Sequence, residues 1–176
     1  MKRVKKKQND TKNNLQIGYV GNVTVKVVRN NEVVKIVNGH NSGNPRLFEY
    51  IAKCLSSNYE SVYAPKYIQI FHVLSDESVD LSLQESLAGI VPLSSATYKT
   101  DESSSTAQLT FVIPGATFTE EVNPNYFALY SYKEYEHVNN PMAVYYLEEG
   151  LSGSIDRTSN IIVVWELKIG NATFEE

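Results

Sequence analysis

The chain has one cysteine, Cys54, so no intrachain disulfide is available and the framework of a stapled secreted domain is excluded. Cys54 lies among Leu47, Phe48, Ile51 and Leu55, where a small apolar thiol packs well. It reads as core filler in a reducing compartment. Long apolar runs are missing too. None approaches the roughly 20 residues of a membrane span. The basic N-terminus is followed by Gln8, Asn9, Asp10, Lys12, Asn13 and Asn14, not by the apolar stretch of a signal peptide. Secretion by the usual route and membrane insertion are therefore not expected. The sequons Asn22-Val23-Thr24 and Asn171-Ala172-Thr173 then read as chance matches.

The motifs of common chemistries are also missing. His40, His72 and His137 are scattered, with no HxxxH or HExxH pairing to bring two ligands to one face. Asp76, Glu77 and Asp80 cluster without the ligand spacing or the glycine of a calcium loop, and they read as an acidic exposed turn. The glycines of Asn38-Gly39-His40-Asn41-Ser42-Gly43-Asn44-Pro45 precede a helix signal, where free N–H groups suit an anion. The lysine and Ser/Thr of GxxxxGK are absent, however, as is the GxGxxG spacing, and Arg46 is the only cation nearby. The stretch is expected to be a structural loop. No serine lies in a GxSxG elbow. The pairs Glu120-Glu121 and Glu148-Glu149 satisfy the residue types of a glycosidase, but adjacent acids on loops are commonplace. The expectation is a protein without catalytic residues, metal or cofactor.

Charge is unevenly placed. Lys2, Arg3, Lys5, Lys6, Lys7 and Lys12 against Asp10 give the first twelve residues +5, and the net −4 leaves −9 for the remainder. Residues 1–15 lack any apolar period and read as a disordered basic arm suited to an acidic protein surface or, less directly, to nucleic acid. The acidic body argues against a folded surface that holds a phosphate backbone. At 176 residues the chain makes one domain, 16–176 beyond the arm, and such a domain buries roughly 70% of the surface its unfolded chain exposes.

Within that domain the dominant period is two. Val23, Val25 and Val27 alternate with Thr24 and Lys26, and Asn30-Asn31 is a two-residue turn tolerant of positive φ. A regular hairpin about that turn pairs Val25 with Ile36, Val27 with Val34 and Lys26 with Lys35, which makes one face wholly apolar and the other solvated. After the loop, Asn44 is a candidate N-cap and Pro45 fits the first helical position. Leu47, Phe48, Ile51, Cys54 and Leu55 then line one face of an amphipathic helix ending near Asn58. A second, short helix is signalled over 81–87, stopped by Gly89. Further strands are predicted over 67–74, 106–113, 126–132, 142–147 and 161–169, separated by turn-rich segments such as 100–105 and 123–125. Seven or eight strands at this spacing with one helix predict a mainly β fold, an antiparallel β-sandwich or jelly-roll-like domain.

Twelve tyrosines remain to be placed. Tyrosine joins an apolar body to a polar tip and suits surfaces buried against a partner. Tyr126, Tyr130 and Tyr132 are therefore candidate contact residues, beside the arm residues Lys2, Arg3, Lys5, Lys6 and Lys7. Strand propensity alone also accounts for many of these aromatics.

Asn38-Gly39-His40-Asn41-Ser42-Gly43, followed by Leu47-Phe48-Glu49-Tyr50-Ile51-Ala52-Lys53-Cys54-Leu55, resembles small virion structural proteins of tailed bacteriophages, including crAss-like phages of gut bacteria. Ala64-Pro65-Lys66-Tyr67-Ile68-Gln69-Ile70 and the stretch 160–171 are similar as well. The resemblance implies a non-enzymatic assembly role: capsid decoration, head-fibre base, or a component of the neck or tail. It implies a homo-oligomer that binds other virion proteins, located in the virion and, during assembly, in the host cytoplasm. The basic arm then becomes a candidate to thread along an acidic neighbour. The alternative from another class is a carbohydrate-binding β-sandwich that stacks sugars on Tyr126, Tyr130 or Trp165.

Overall fold

In the computed structural model, which describes residues 17–43, 64–74, 79–102, 104–131, 139–151 and 155–171, the alternating valines form strand β1 (Ile17–Arg29). It turns at Asn30 and Asn31, with φ of 52° and 64°, into β2 (Glu32–His40). Both turn residues adopt the left-handed conformation that asparagine tolerates and a two-residue hairpin requires. Eight strands follow: β3 (Ser42–Gly43), β4 (Tyr67–Phe71), β5 (Val91–Pro92), β6 (Ser95–Thr100), β7 (Ser104–Ile113), β8 (Tyr126–Tyr130), β9 (Ala143–Tyr146) and β10 (Ser159–Asn171). The basic arm and the amphipathic helix beginning at Pro45 lie outside the described residues. The weaker helix signal after Asp80 yields a single 3-10 turn, Leu81–Leu83. Among the described residues no helix is long and apolar enough to cross a membrane.

The strands form two five-stranded sheets, β2-β1-β10-β7-β6 (sheet A) and β3-β9-β8-β4-β5 (sheet B), in which neighbours run antiparallel. The expected sandwich is therefore present. Its two long sides are both bridged. On one side the chain leaves β2 and joins β3 of the opposite sheet through Asn41, whose backbone N–H donates to the Gly21 carbonyl at 3.1 Å. On the other side it passes from β5 to β6, where the Leu93 N–H donates to Lys66 O and the Ser94 N–H to Thr110 O, at 2.7 and 2.9 Å. Strands that switch sheets at corners in this way shorten the open edges of a sandwich. Of the loop predicted over 38–45, the described part, 38–43, is thus strand and corner, and within the polar stretch 100–105 Thr100 and Ser105 pair as the last rung of the β6–β7 hairpin.

Between the sheets lies one apolar core that includes Val23, Val25, Ile68, Ile70, Phe111, Phe127, Leu129, Ile161, Val163 and Trp165. Burial alternates from Gly21 to Val28 in β1 and from Ser159 to Lys168 in β10, as a half-buried strand demands. Trp165 is fully buried in the centre of the row Gly39–Val23–Trp165–Leu109–Ala96 across sheet A.

Gly39 in that row is a point of close approach. A Cβ there would stand 2.5 Å from Cε2 and 2.6 Å from the hydroxyl of Tyr145, which reaches over from β9. This contact bears on the hairpin register. The regular pairing expected from the turn holds only for Val28 with Val33 and Arg29 with Glu32. A β-bulge then inserts Val34, and Val27 pairs with Lys35, Lys26 with Ile36 and Val25 with Val37. A one-residue shift sends every following side chain to the other face. The bulged register puts Val37 and Gly39 inside and keeps the polar Asn38 and His40 outside. The unbulged register would bury Asn38 and His40 and leave Tyr145 no space, at a desolvation cost of about 1–3 kcal/mol per unpaired polar group. The price is that Val34 and Ile36, expected in the core, are 55% and 54% exposed.

Gly39→Ala is expected to destabilise the fold by about 1–3 kcal/mol, because the buried Tyr145 ring must move. In a Tyr145→Leu background, where the smaller side chain leaves space, the same substitution should cost about half as much or less. Urea unfolding of the four chains measures this cycle, and an equal cost in both backgrounds would remove Tyr145 as the cause.

Candidate functional site

Sheet A has an outer face whose composition the period-two pattern alone does not account for. The side chains of β1 that point away from the core are Thr24, Lys26 and Val28; those of β10 are Ile162, Val164 and Glu166. β2 adds Val33, paired with Val28 ahead of the bulge, and Ile36, turned outward by it, and β7 adds Val112. In register these give a row Ile36–Lys26–Ile162–Val112 across four strands. Val33, Ile36 and Val112 are 51%, 54% and 39% exposed, and Val28, Ile162 and Val164 are half-buried between them. Scattered exposed aliphatics are normal on a protein surface, but a contiguous patch marks a contact site.

Polar groups at the margin of this face satisfy one another. The Thr24 hydroxyl donates to Asn38 Oδ1 at 2.8 Å, and Gln108 Nε2 donates to Glu166 Oε1 at 3.0 Å. Lys26, in the middle of the apolar row, makes no hydrogen bond or ion pair among the described residues. The face is thus an apolar platform with one central cation. Lys35, by contrast, points inward from β2 and donates to the Leu151 carbonyl at 2.8 Å. An inward lysine and a bulge are both devices that discourage an edge strand from pairing with another strand. The geometry therefore favours contact through the flat of the sheet and not along its edge.

The residues singled out from sequence are placed differently. Lys2, Arg3, Lys5, Lys6, Lys7 and Tyr132 lie outside the described residues, as do His137, Asp76, Glu77 and Cys54. Tyr126 and Tyr130, expected on a contact surface, are 7% and 4% exposed. They lie on the outer side of β8, but Phe71, Val73 and Leu81 pack with them in a second apolar cluster. Asn125 fastens part of that cover: its side-chain amide accepts from Val73 N–H at 2.8 Å and donates to Val73 O at 2.7 Å. Burial, aided by the nearby Tyr126, pushes the Tyr130 hydroxyl above the ordinary tyrosine range. Trp165 is fully buried, and its indole Nε1 has no hydrogen-bond partner among the described residues. None of these three rings offers a face to a sugar. Among the described tyrosines, Tyr98 of β6 is 82% exposed.

The acidic pairs meet at one end of the sandwich, because Val122 bridges Ile155 and Gly150 abuts Asn123. Glu120, Glu121, Glu148 and Glu149 are all exposed there. His72 holds the Asn123 carbonyl at 2.8 Å through Nδ1, and His40 is exposed on β2. Among the described residues no three His, Cys, Asp or Glu side chains come together as a metal site. Comparison with protein families, curated proteins and solved structures finds no match to this chain. The outer face of sheet A was missed in sequence because its residues read as core. The available signal was the doublets Val33-Val34, Ile161-Ile162 and Val163-Val164, which are apolar at both parities and so imply two covered faces.

Two carboxylates organise turns. Asp156 Oδ1 accepts from Thr158 N–H and Oγ1 at 2.9 and 2.6 Å and from Ser159 Oγ at 3.1 Å. Arg29, which donates to the same Ser159 hydroxyl, lies 3.9 Å from Asp156. The hydrogen bonds from Thr158 hold the Asp156 carboxyl below its ordinary value of 3.8. Those from Ser82, then Asn139, do the same for Asp80. A folded-state pKa below the unfolded one contributes stability above the unfolded value and loses it as pH falls through the folded value. The urea midpoint should therefore drop as pH is lowered from about 4.5 to about 2.5, and drop less steeply in the Asp80→Asn/Asp156→Asn chain. Parallel curves for the two chains would assign acid sensitivity to other groups.

Proposed function

We propose that this protein is a non-enzymatic structural subunit of a tailed-phage virion, a capsid-associated accessory protein that docks through the outer face of sheet A. The observation that carries the reading is the exposed apolar row around Lys26. Contact patches on protein surfaces are apolar at the centre and polar at the rim, and this face has a row of aliphatic side chains with Thr24, Asn38, Gln108 and Glu166 along one margin. The placement in a phage particle is supported by the resemblance of the stretches at 38–55, 64–70 and 160–171 to small virion proteins. A sandwich bridged at both long sides is well suited to such a role, since its backbone edges are short and its flat face is free for a neighbour. The basic arm directly precedes β1 of the same sheet, so an acidic neighbour seated on this face lies within its reach.

Val33→Lys/Ile36→Lys is expected to fold, because both positions are exposed, and to reduce the copies found in purified particles by about tenfold or more. Removing residues 1–14 should lower incorporation by less while leaving the unfolding midpoint unchanged. Each chain is expressed during infection and counted in density-purified particles by mass spectrometry. Wild-type protein missing from particles, or full incorporation of the double-lysine chain, would overturn the proposal.

A further inference from the structure

Two further leucines are exposed near the cluster that covers sheet B, and the carboxylate beside one of them has the charge opposite to that of Lys26. After β4, Leu74 is 98% exposed, and past the 3-10 turn Leu83 is 79% exposed. Exposed Glu85 follows two residues on, beyond Gln84, which has extended backbone angles, so Leu83 and Glu85 project from one short extended stretch. Glu85 makes no hydrogen bond or ion pair among the described residues, whereas the nearby Asp80 is engaged by Ser82 and Asn139. Leucines beside a carboxylate complement the aliphatic row with Lys26 at its centre.

The two sets of side chains face opposite ways. Val73 and Leu81, on either side of this segment, pack on Tyr126, Ala128 and Tyr130. Those side chains leave sheet B on the side away from the inter-sheet core, which takes the alternate residues Phe127 and Leu129. Leu74 and Leu83 therefore emerge beyond sheet B, on the flank opposite the outer face of sheet A. Complementary patches on opposite flanks of one subunit make a head-to-tail contact, which closes into a ring or continues as a filament.

Resting on the reading of the chain as an assembly subunit, we infer that its partner on this face is a second copy of itself: Leu74, Leu83 and Glu85 of one copy seat on Ile36, Val112 and Lys26 of the next. The contact is heterologous, and because its centre is an ion pair between two charges that have no partner among the described residues it weakens as salt is added.

Sedimentation velocity of the full chain over a wide concentration range tests this. The wild-type chain should form species larger than dimers. Ile36→Asp and Leu83→Asp, both at exposed positions, should each associate at least about tenfold more weakly. Mixed together, these two chains should give dimers and nothing larger, since one keeps a working face and the other a working loop. Lys26→Glu and Glu85→Lys should each weaken association, and the chain with both should recover it. Full association of Leu83→Asp alone overturns the inference, as does a mixture that stays monomeric or a wild-type chain that stays monomeric throughout. A monomeric wild type that still enters particles, with entry lost on Val33→Lys/Ile36→Lys, overturns only the head-to-tail contact. Normal particle entry of that double-lysine chain overturns the functional reading itself.

Discussion

The ring of Tyr145 occupies the place where a side chain at position 39 would have to stand, and much of the molecule follows from that contact. Interiors are packed to crystal-like density, so a buried ring from one sheet needs a matching vacancy in the other. Glycine supplies it at one position only. To bring Gly39 to the inner face, β2 has to change register after its turn, and the bulge at Val34 makes that change. The same strand then runs through Asn41 into the opposite sheet, so the contact also sits beside the corner that closes one side of the sandwich.

The outer surface inherits the consequence. Ile36 ends up on the solvent side opposite Lys26, where it joins Val33, which faces outward in either register, while Lys35 is directed to the rim of the core and held by the Leu151 carbonyl. Together with Ile162 and Val112 they turn the back of sheet A into a nearly flat apolar platform. Sheet B is managed in the opposite way. Its outer aromatics, Tyr126 and Tyr130, are covered by the segment after β4, pinned through the Asn125 amide. The two sheets therefore differ in kind, one sealed by its own chain and the other open. A molecule built like this has a direction, the property on which the proposed assembly role rests.

Much of the scaffold was legible in the primary structure. The valine alternation, the Asn30-Asn31 turn and the five later strands stand close to where period and propensity put them, because each depends on residues within a few positions of one another. The errors share a different origin. The stretch Asn38 to Gly43 has the composition of a loop, yet it is strand and corner, because a partner strand and a facing ring outweigh local turn propensity. Ser95 to Thr100 has no apolar alternation and still pairs along β7, held as a ladder by its hairpin. Tyr126 and Tyr130 have the chemistry of a contact surface, but whether a tyrosine meets solvent is decided by what folds across it.

Local sequence determined that this chain is a set of short antiparallel strands with polar turns, since a two-residue period and a positive-φ turn act over neighbouring bonds. It also determined the lopsided charge of the basic first twelve residues and the acidic remainder. Which of two apolar faces would be buried was beyond its reach. That choice belonged to the packing of Tyr145 against Gly39 and to the cost of burying Asn38 and His40, both of which come into force only when residues more than a hundred positions apart, or strands from two sheets, are brought together.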